Sequence, residues 1–255
     1  MLTNRPRFIA IASGKGGVGK TWLAITLSHA LSRAGQRVLL LDADLGLANV
    51  DVQLGLTPRV DLGTVLSGRT NVAGAITRHE LTGLDVLAGR SGSGALSDLT
   101  AESLELLLTQ LRSETTQYDA VLLDLSAGID RTVRRIATWS DLLLVVATDE
   151  PTSLTDAYAV LKIQTADRPD GDAKIIVNQA QSYAAGQQTY ATLRRASMSF
   201  LHREPPLAGV IRRDPKVRDA IRHQTSLLLR HPNSAAAQDV EALAQTLLFG
   251  PGPDG

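Results

Sequence analysis

The 255-residue chain has no cysteine. That absence removes disulfides, thiolate-held zinc and iron–sulfur clusters together, and it agrees with a reducing compartment, so the sequence reads as cytoplasmic. Aromatic residues are scarce, at 4%. The core must therefore be built mainly from Leu, Ala and Val, a composition suited to buried strands covered by helices. Neither sign of charge is in excess, since 26 Lys and Arg balance 26 Asp and Glu. Net charge thus gives no reason for bulk attraction to nucleic acid or to an anionic membrane. No apolar run reaches the roughly 18–20 residues of a membrane-spanning helix, and Met1–Arg7 has no signal-peptide core. The five histidines, at positions 29, 79, 202, 223 and 231, show no metal spacing.

What is abundant is alternation. Strand-like apolar runs at 7–12, 36–42, 84–88, 119–124, 142–147, 174–178 and 207–211 alternate with helical patterns. The main helices fall near 22–34, 101–112, 131–139, 152–166, 184–202, 214–222 and 234–248, with short ones at 61–66 and 72–76. Leu23, Leu27 and Leu31 share one helical face, as do Leu104, Leu107, Leu108 and Leu111, and again Val240, Leu243 and Leu247. Such alternation implies right-handed crossovers and an α/β fold with a mainly parallel, doubly wound sheet. One domain over residues 1–249 and a short flexible tail over 250–255 are expected. Ligands in such sheets bind at the carboxyl ends of the strands.

The informative stretch is Gly14-Lys15-Gly16-Gly17-Val18-Gly19-Lys20-Thr21, which fits the phosphate-loop pattern G-x-x-x-x-G-K-[ST] between a strand and a helix. Glycines let the backbone curl so that successive N–H groups converge on phosphate oxygens, and the following helix adds the positive end of its dipole. Gly14, Gly16, Gly17, Val18, Gly19, Lys20, Thr21 and Trp22 make up the expected nucleotide-binding set. Lys20 would reach the β- and γ-phosphates of ATP, and the Thr21 hydroxyl would ligate Mg²⁺. Asp42 ends the second strand with Asp44 just beyond, and Asp124 ends another before Ser126-Ala127-Gly128, read as a mobile turn. Carboxylates there can hold Mg²⁺ through water or orient an attacking water, although a lone Asp after a strand is more often a helix cap or turn former. Asn178 ends a further strand with a donor and an acceptor that suit an adenine edge. Arg131, Arg134 and Arg135 form a basic cluster, read as either a partner or DNA-phosphate patch or a solvated helix face. Arg194, Arg195, His202 and Arg203 form another. Ser91–Gly94 reads as a flexible loop.

Lys15 makes the loop KGGVGKT, which resembles the deviant Walker A motif of the MinD/ParA family of ATPases. The resemblance covers about residues 7–248. It implies that Lys15 reaches across an ATP-sandwiched homodimer to the partner's nucleotide, while Lys20 and Thr21 act on their own. It further implies that Asp44 activates the water, that Asp42 and Asp124 lie near Mg²⁺, that Asn178 contacts adenine and that the backbone at Arg213 and Asp214 lines it. Lys15, Lys20 and Asp44 are then the catalytic set, with slow, partner-stimulated hydrolysis of ATP to ADP. The stretches DADLGLANVDVQLGL, SAGID and EPTSLTDAYAVLK, and the long one beginning DPKVRDAIRHQTS, look most like the flagellar-number regulators of that family. In EPTS, Pro151 should start a helix that Thr152 or Ser153 caps.

That likeness implies flagellar partners: an FlhF-like GTPase, a C-ring component or a transcription regulator, with polar or transient membrane localisation in some members. Three departures count. Only 13 residues precede the loop, which speaks against stimulating an FlhF-like GTPase through an N-terminal extension. The helix at 234–248 carries Gln238, Asp239, Glu241 and Gln245 opposite its apolar face, where a membrane-surface helix would carry cations; packing on the sheet is expected instead. Arg212 stands where relatives usually have proline. DNA or cargo partitioning of the ParA kind, or regulation of a division site or pole, is the alternative function, with DNA binding not favoured. Iron–sulfur carriers are excluded by the lack of cysteine, and tyrosine autokinases by a tail without a tyrosine cluster.

Overall fold

A computed structural model describes residues 5–44, 48–89 and 100–250. The expectations for Ser91–Gly94 and for tail residues 251–255 lie outside the described residues, as does Leu45–Leu47 of the acidic stretch. The element order is β1 Arg7–Ser13, α1 Lys20–Arg33, β2 Val38–Ala43, α2 Val50–Leu54, α3 Leu62–Leu66, α4 Val72–Ala75, β3 Thr77–His79 and β4 Leu84–Leu87. It continues with α5 Ala101–Glu114, β5 Ala120–Ala127, α6 Arg131–Trp139, β6 Leu142–Ala147, α7 Pro151–Asp167 and β7 Asp172–Ala180. The chain closes with α8 Tyr183–Leu201, β8 Leu207–Arg212, α9 Pro215–Arg222, α10 Leu227–Arg230 and α11 Ala235–Phe249.

The strands form one sheet in the order β3-β4-β2-β5-β1-β6-β7-β8. Every neighbouring pair is parallel except β3 with β4 at the edge. Strands buried on both faces need apolar residues at successive positions, and β1 illustrates this. Phe8, Ala10 and Ala12 enter the core under α5, α6 and α7, whereas Ile9 and Ile11 enter the core under α1 and α11. The three helical faces foreseen from leucine spacing are all buried.

The register, more than the composition, positions the chemistry. Asp124 of β5 sits opposite Asp42 of β2 on one side and Ile11 of β1 on the other. Two acids far apart in sequence are thereby side by side at the carboxyl edge, next to the loop that leaves β1. Most helices start on a capping side chain: Asp61, Thr100, Asp130, Ser182, Asp214 and Ser234 each accept a hydrogen bond from a first-turn N–H. Helix α7 departs from expectation. Pro151 does start it, but Glu150 is the residue before the helix, and neither Thr152 nor Ser153 caps it. The Ser153 hydroxyl instead accepts from the Thr148 N–H, and the Thr152 hydroxyl is taken by Lys15. Strand β5 likewise runs through Ser126 and Ala127 rather than turning there. The turn comes at Gly128, with φ +107° and its N–H on the Ser13 carbonyl at 2.9 Å. Helices α2 and α10 and strand β3, each five residues or fewer, were not foreseen from the sequence.

Candidate functional site: a phosphate loop and its cleft

The loop from Gly14 to Gly19 is held from three sides. The Ser13 hydroxyl donates to the Lys15 carbonyl at 2.6 Å. From the end of β7, the Asn178 amide donates to the Val18 carbonyl at 2.7 Å and the Gln179 amide to the Gly17 carbonyl at 3.2 Å. Two glycines have no substitute. A Cβ on Gly14 would stand 2.5 Å from the Cβ and carbonyl oxygen of Asp156 in α7. One on Gly19, where φ is +90°, would stand 2.6 Å from the Asn178 amide nitrogen. The loop is thus clamped between α7 and β7 and leads directly into α1, the position at which a phosphate loop and the helix after it form an anion cradle.

Lys20, the first residue of α1, is buried, and desolvation lowers its pKa against the opposing pull of Asp124 and Asp44. Asp124 is buried too. Desolvation pushes its carboxyl up to about 7, helped by the charge of Asp42 and opposed by a hydrogen bond from the Thr21 side chain and by Lys20. Its Oδ1 has no hydrogen-bond partner among the described residues. Asp42 is fully buried, and burial pushes it up to about 6 against three accepted N–H bonds. Those donors are Asn49 at 2.8 Å, Val50 at 2.9 Å and Asp44 at 3.1 Å. Asp42 therefore fastens both ends of the segment that carries half-buried Asp44, a structural role the sequence reading did not include.

Lys15 folds back along its own chain. Its ammonium donates to the Glu150 carboxylate at 2.5 Å and to the Thr152 hydroxyl at 3.0 Å. Neither of these partners was singled out as a site residue, although the EPTS stretch that carries them was. On the far side, a cleft of about 640 Å³ opens beside the loop, bordered by Gly17, Gly19, Trp22, Asn178, Arg213 and Asp214. The predicted adenine-side residues do converge there. Asn178 arrives with one N–H of its amide donated to the Val18 carbonyl of the loop. The Arg213 N–H bonds the Ala180 carbonyl at 2.7 Å, while Asp214 caps α9 through the Lys216 N–H and also accepts the Ala236 N–H. Arg212, at the position usually held by proline, has its guanidinium and its backbone N–H on Asp239 of α11. It ties the cleft wall to the last helix.

The basic cluster reads differently in three dimensions. Arg134 pairs with Asp167 and Arg135 with Glu105, each through two hydrogen bonds. A groove of about 730 Å³ runs beside them, but most of its positive charge is neutralised. Arg194 is likewise paired, with Glu204.

The donor set suits Mg²⁺ with a nucleotide. Among the described residues no group of three or more His, Asp or Glu could hold a metal by itself. Mg²⁺ is commonly bound by one or two protein oxygens plus phosphates and water. The Thr21 hydroxyl and the unpartnered, buried Asp124 oxygen fit that pattern.

The profile of the CobQ/CobB/MinD/ParA nucleotide-binding domain matches residues 9–227. The chain is 36% identical to the antiactivator FleN of Pseudomonas aeruginosa over 96% of its own length and 87% of that protein. It is 30% identical to the flagellum site-determining protein YlxH of Helicobacter pylori, over 95% of the chain and 82% of that protein. The septum site-determining protein MinD of Pyrococcus horikoshii, solved with Mg-ADP, superposes with a TM-score of 0.79 at 26% identity, covering 95% of this chain and 96% of that one.

Proposed function

The chain belongs to the CobQ/CobB/MinD/ParA nucleotide-binding family, and we propose that it is an ATP-driven dimeric switch regulating flagellar number or placement. It is a Mg²⁺-dependent ATPase of the MinD type. The observation that carries the switch reading is Lys15, a half-buried loop lysine that no cis phosphate role requires, held by Glu150 and Thr152 at the start of α7. Two copies facing through their loops would exchange these lysines, each completing the other's site. The likeness to FleN and YlxH supports the flagellar reading.

In this reading Gly14, Gly16, Gly17, Val18, Gly19 and Trp22 cradle phosphates through their backbone. Lys20 orients the β- and γ-phosphates, and Thr21, Asp42 and Asp124 support the metal. Mg²⁺, when bound, supplies positive charge against the phosphate oxygens. Asp44, on the segment fastened by Asp42, orients the attacking water. Asn178, Arg213 and Asp214 border the base. The single unit over residues 1–249 carries all of these groups. The partners would be flagellar proteins, an FlhF-like GTPase, a C-ring component or a transcription regulator among them. No helix among the described residues is long and apolar enough to cross a membrane. Helix α11 packs on β8 and α1 and spends Asp239 and Glu241 on Arg212 and Arg33, which supports packing over membrane docking. With Arg134 and Arg135 neutralised, DNA partitioning is the weaker reading.

Light scattering tests the switch. With ATP and Mg²⁺, the Asp44→Ala protein is expected to run as a stable dimer, and adding Lys15→Ala to return it to monomer. A monomer in both cases under saturating ATP would sink the proposal.

A further inference from the structure

Helix α2 has only five residues, too few to hold its shape without outside contacts. Val50 and Leu54 are buried in the apolar cluster it shares with α1, and each end is fastened by a side chain from elsewhere. At the first end the Asn49 and Val50 N–H groups both donate to Oδ2 of Asp42, at 2.8 and 2.9 Å. Oδ1 of the same carboxylate accepts the Asp44 N–H at 3.1 Å, so the orientation of Asp42 links α2 to the backbone of Asp44. At the other end the Gln224 amide donates to the Val52 carbonyl at 2.9 Å, one of the last-turn acceptors that a helix leaves without an intrahelical partner. The approach there is close. Gln224 has φ +49°, uncommon for a residue with a Cβ. Gly55 has φ +65°, and a Cβ on it would stand 3.3 Å from that of Gln224. Gln224 lies just past α9, its N–H on the Ile221 carbonyl at 3.0 Å, and α9 borders the nucleotide cleft through Val217, Arg218 and Ile221.

We propose that Gln224 is a positioning residue for ATP hydrolysis, acting through α2 and the Asp42 carboxylate on the placement of Asp44. The chain of contacts is continuous: Gln224 holds α2, the first N–H groups of α2 hold one oxygen of Asp42, and the other oxygen holds Asp44. Without the Gln224 bond α2 is held at one end only, and a smaller share of complexes has Asp44 where the attacking water must be oriented. The phosphate loop is fastened separately, by Asn178 and Gln179 from β7, so nucleotide affinity does not depend on the bond. The inference rests on reading Asp44 as the residue that orients the water.

The test compares Gln224→Glu, which keeps the shape but as a carboxylate has no N–H to donate, with Gln224→Lys, which restores a donor of similar reach. Steady-state hydrolysis is followed with Mg²⁺ and ATP, at protein concentrations where the rate per chain no longer rises. For Gln224→Glu, kcat should fall about three- to tenfold, the scale of one neutral hydrogen bond. KM for ATP and the calorimetric affinity for ADP should stay within about twofold of wild type, the pattern of a contact that matters only in the transition state. Gln224→Lys should recover most of the lost kcat, which altered packing alone would not allow. If Gln224→Glu does not fold, Gln224→Gly carries the same prediction, because glycine suits the left-handed backbone. A wild-type kcat in the variant lacking the donor, a parallel loss of ADP affinity, or no recovery in Gln224→Lys would overturn the inference. Asp44→Ala separates it from the reading beneath it. Should Asp44→Ala hydrolyse ATP at the wild-type rate, the role given to Asp44 fails and this inference with it. Should Asp44→Ala be inactive while Gln224→Glu matches wild type, the inference alone falls.

Discussion

Asp124→Asn should make the metal-free protein more stable while disabling it. Asp124 is 1% exposed, sits across the register from Asp42, and holds one oxygen without a partner among the described residues. Its carboxyl is displaced from 3.8 to about 7. The folded-state value lies above the unfolded one, so folding retains the proton between those limits. The stability this contributes is present below pH 4 and is lost as pH rises through about 7. Fully lost, it amounts to about 4 kcal/mol, at about 1.4 kcal/mol per pH unit of displacement. Asparagine has nearly the same shape, can still accept from Thr21, and carries no charge against Asp42. Its NH₂ brings a desolvation cost of about 1–3 kcal/mol if it goes unpaired. The net expectation at pH 8 is a gain of about 1–3 kcal/mol, or a melting temperature higher by about 3–8 °C for a chain of this size. The assay is thermal unfolding by circular dichroism in EDTA without nucleotide, at pH 8 and pH 5. The gain should shrink or invert at pH 5, where less than half of the wild-type penalty has accumulated. Mg²⁺ with ADP should raise the melting temperature of wild type more than that of the variant. A variant less stable than wild type at pH 8 in EDTA, or an advantage that grows toward pH 5, would refute the reasoning.

Two further perturbations probe the scaffold of the site. Gly14→Ala sets a Cβ 2.5 Å from backbone and Cβ atoms of Asp156, so α7 must shift. A stability loss of about 1–3 kcal/mol in urea unfolding is expected, together with weaker ADP binding by calorimetry; a variant matching wild type in both would show that the loop is not clamped. Asp239→Ala removes the acceptor of the Arg212 backbone N–H and guanidinium, on a carboxylate whose side chain is 11% exposed. Urea unfolding should register a loss of about 2–4 kcal/mol, and ADP affinity should fall because the cleft wall at Arg212 and Arg213 loosens; unchanged affinity would separate α11 from the cleft.

The phosphate loop was legible in the sequence because its chemistry is local. Gly14 to Thr21 must be contiguous for successive N–H groups to converge, and the flanking strand and helix announce themselves by apolar pattern over seven and fourteen residues. The parallel sheet followed from alternation alone, and the buried faces of α1, α5 and α11 from the spacing of leucine and valine within each helix. Pairing across the sheet was not local. Asp42 and Asp124 were each read as a strand-end acid able to serve Mg²⁺, but only the β2–β5 register set them side by side in a buried setting, where desolvation raises both proton affinities and the charge of Asp42 adds to that of Asp124. Tertiary structure likewise decided the use of side chains with several options. Thr152 and Ser153, good caps by type, were claimed by Lys15 and Thr148. Arg134 and Arg135, a basic patch by sequence, were neutralised by acids from α7 and α5. Sequence thus determined which groups the chain can offer and where the backbone must curl, because propensity and pattern act between near neighbours. Which charge faces which, and which donor is left over, depended on contacts closed by the sheet, whose energies exist only once water has been excluded.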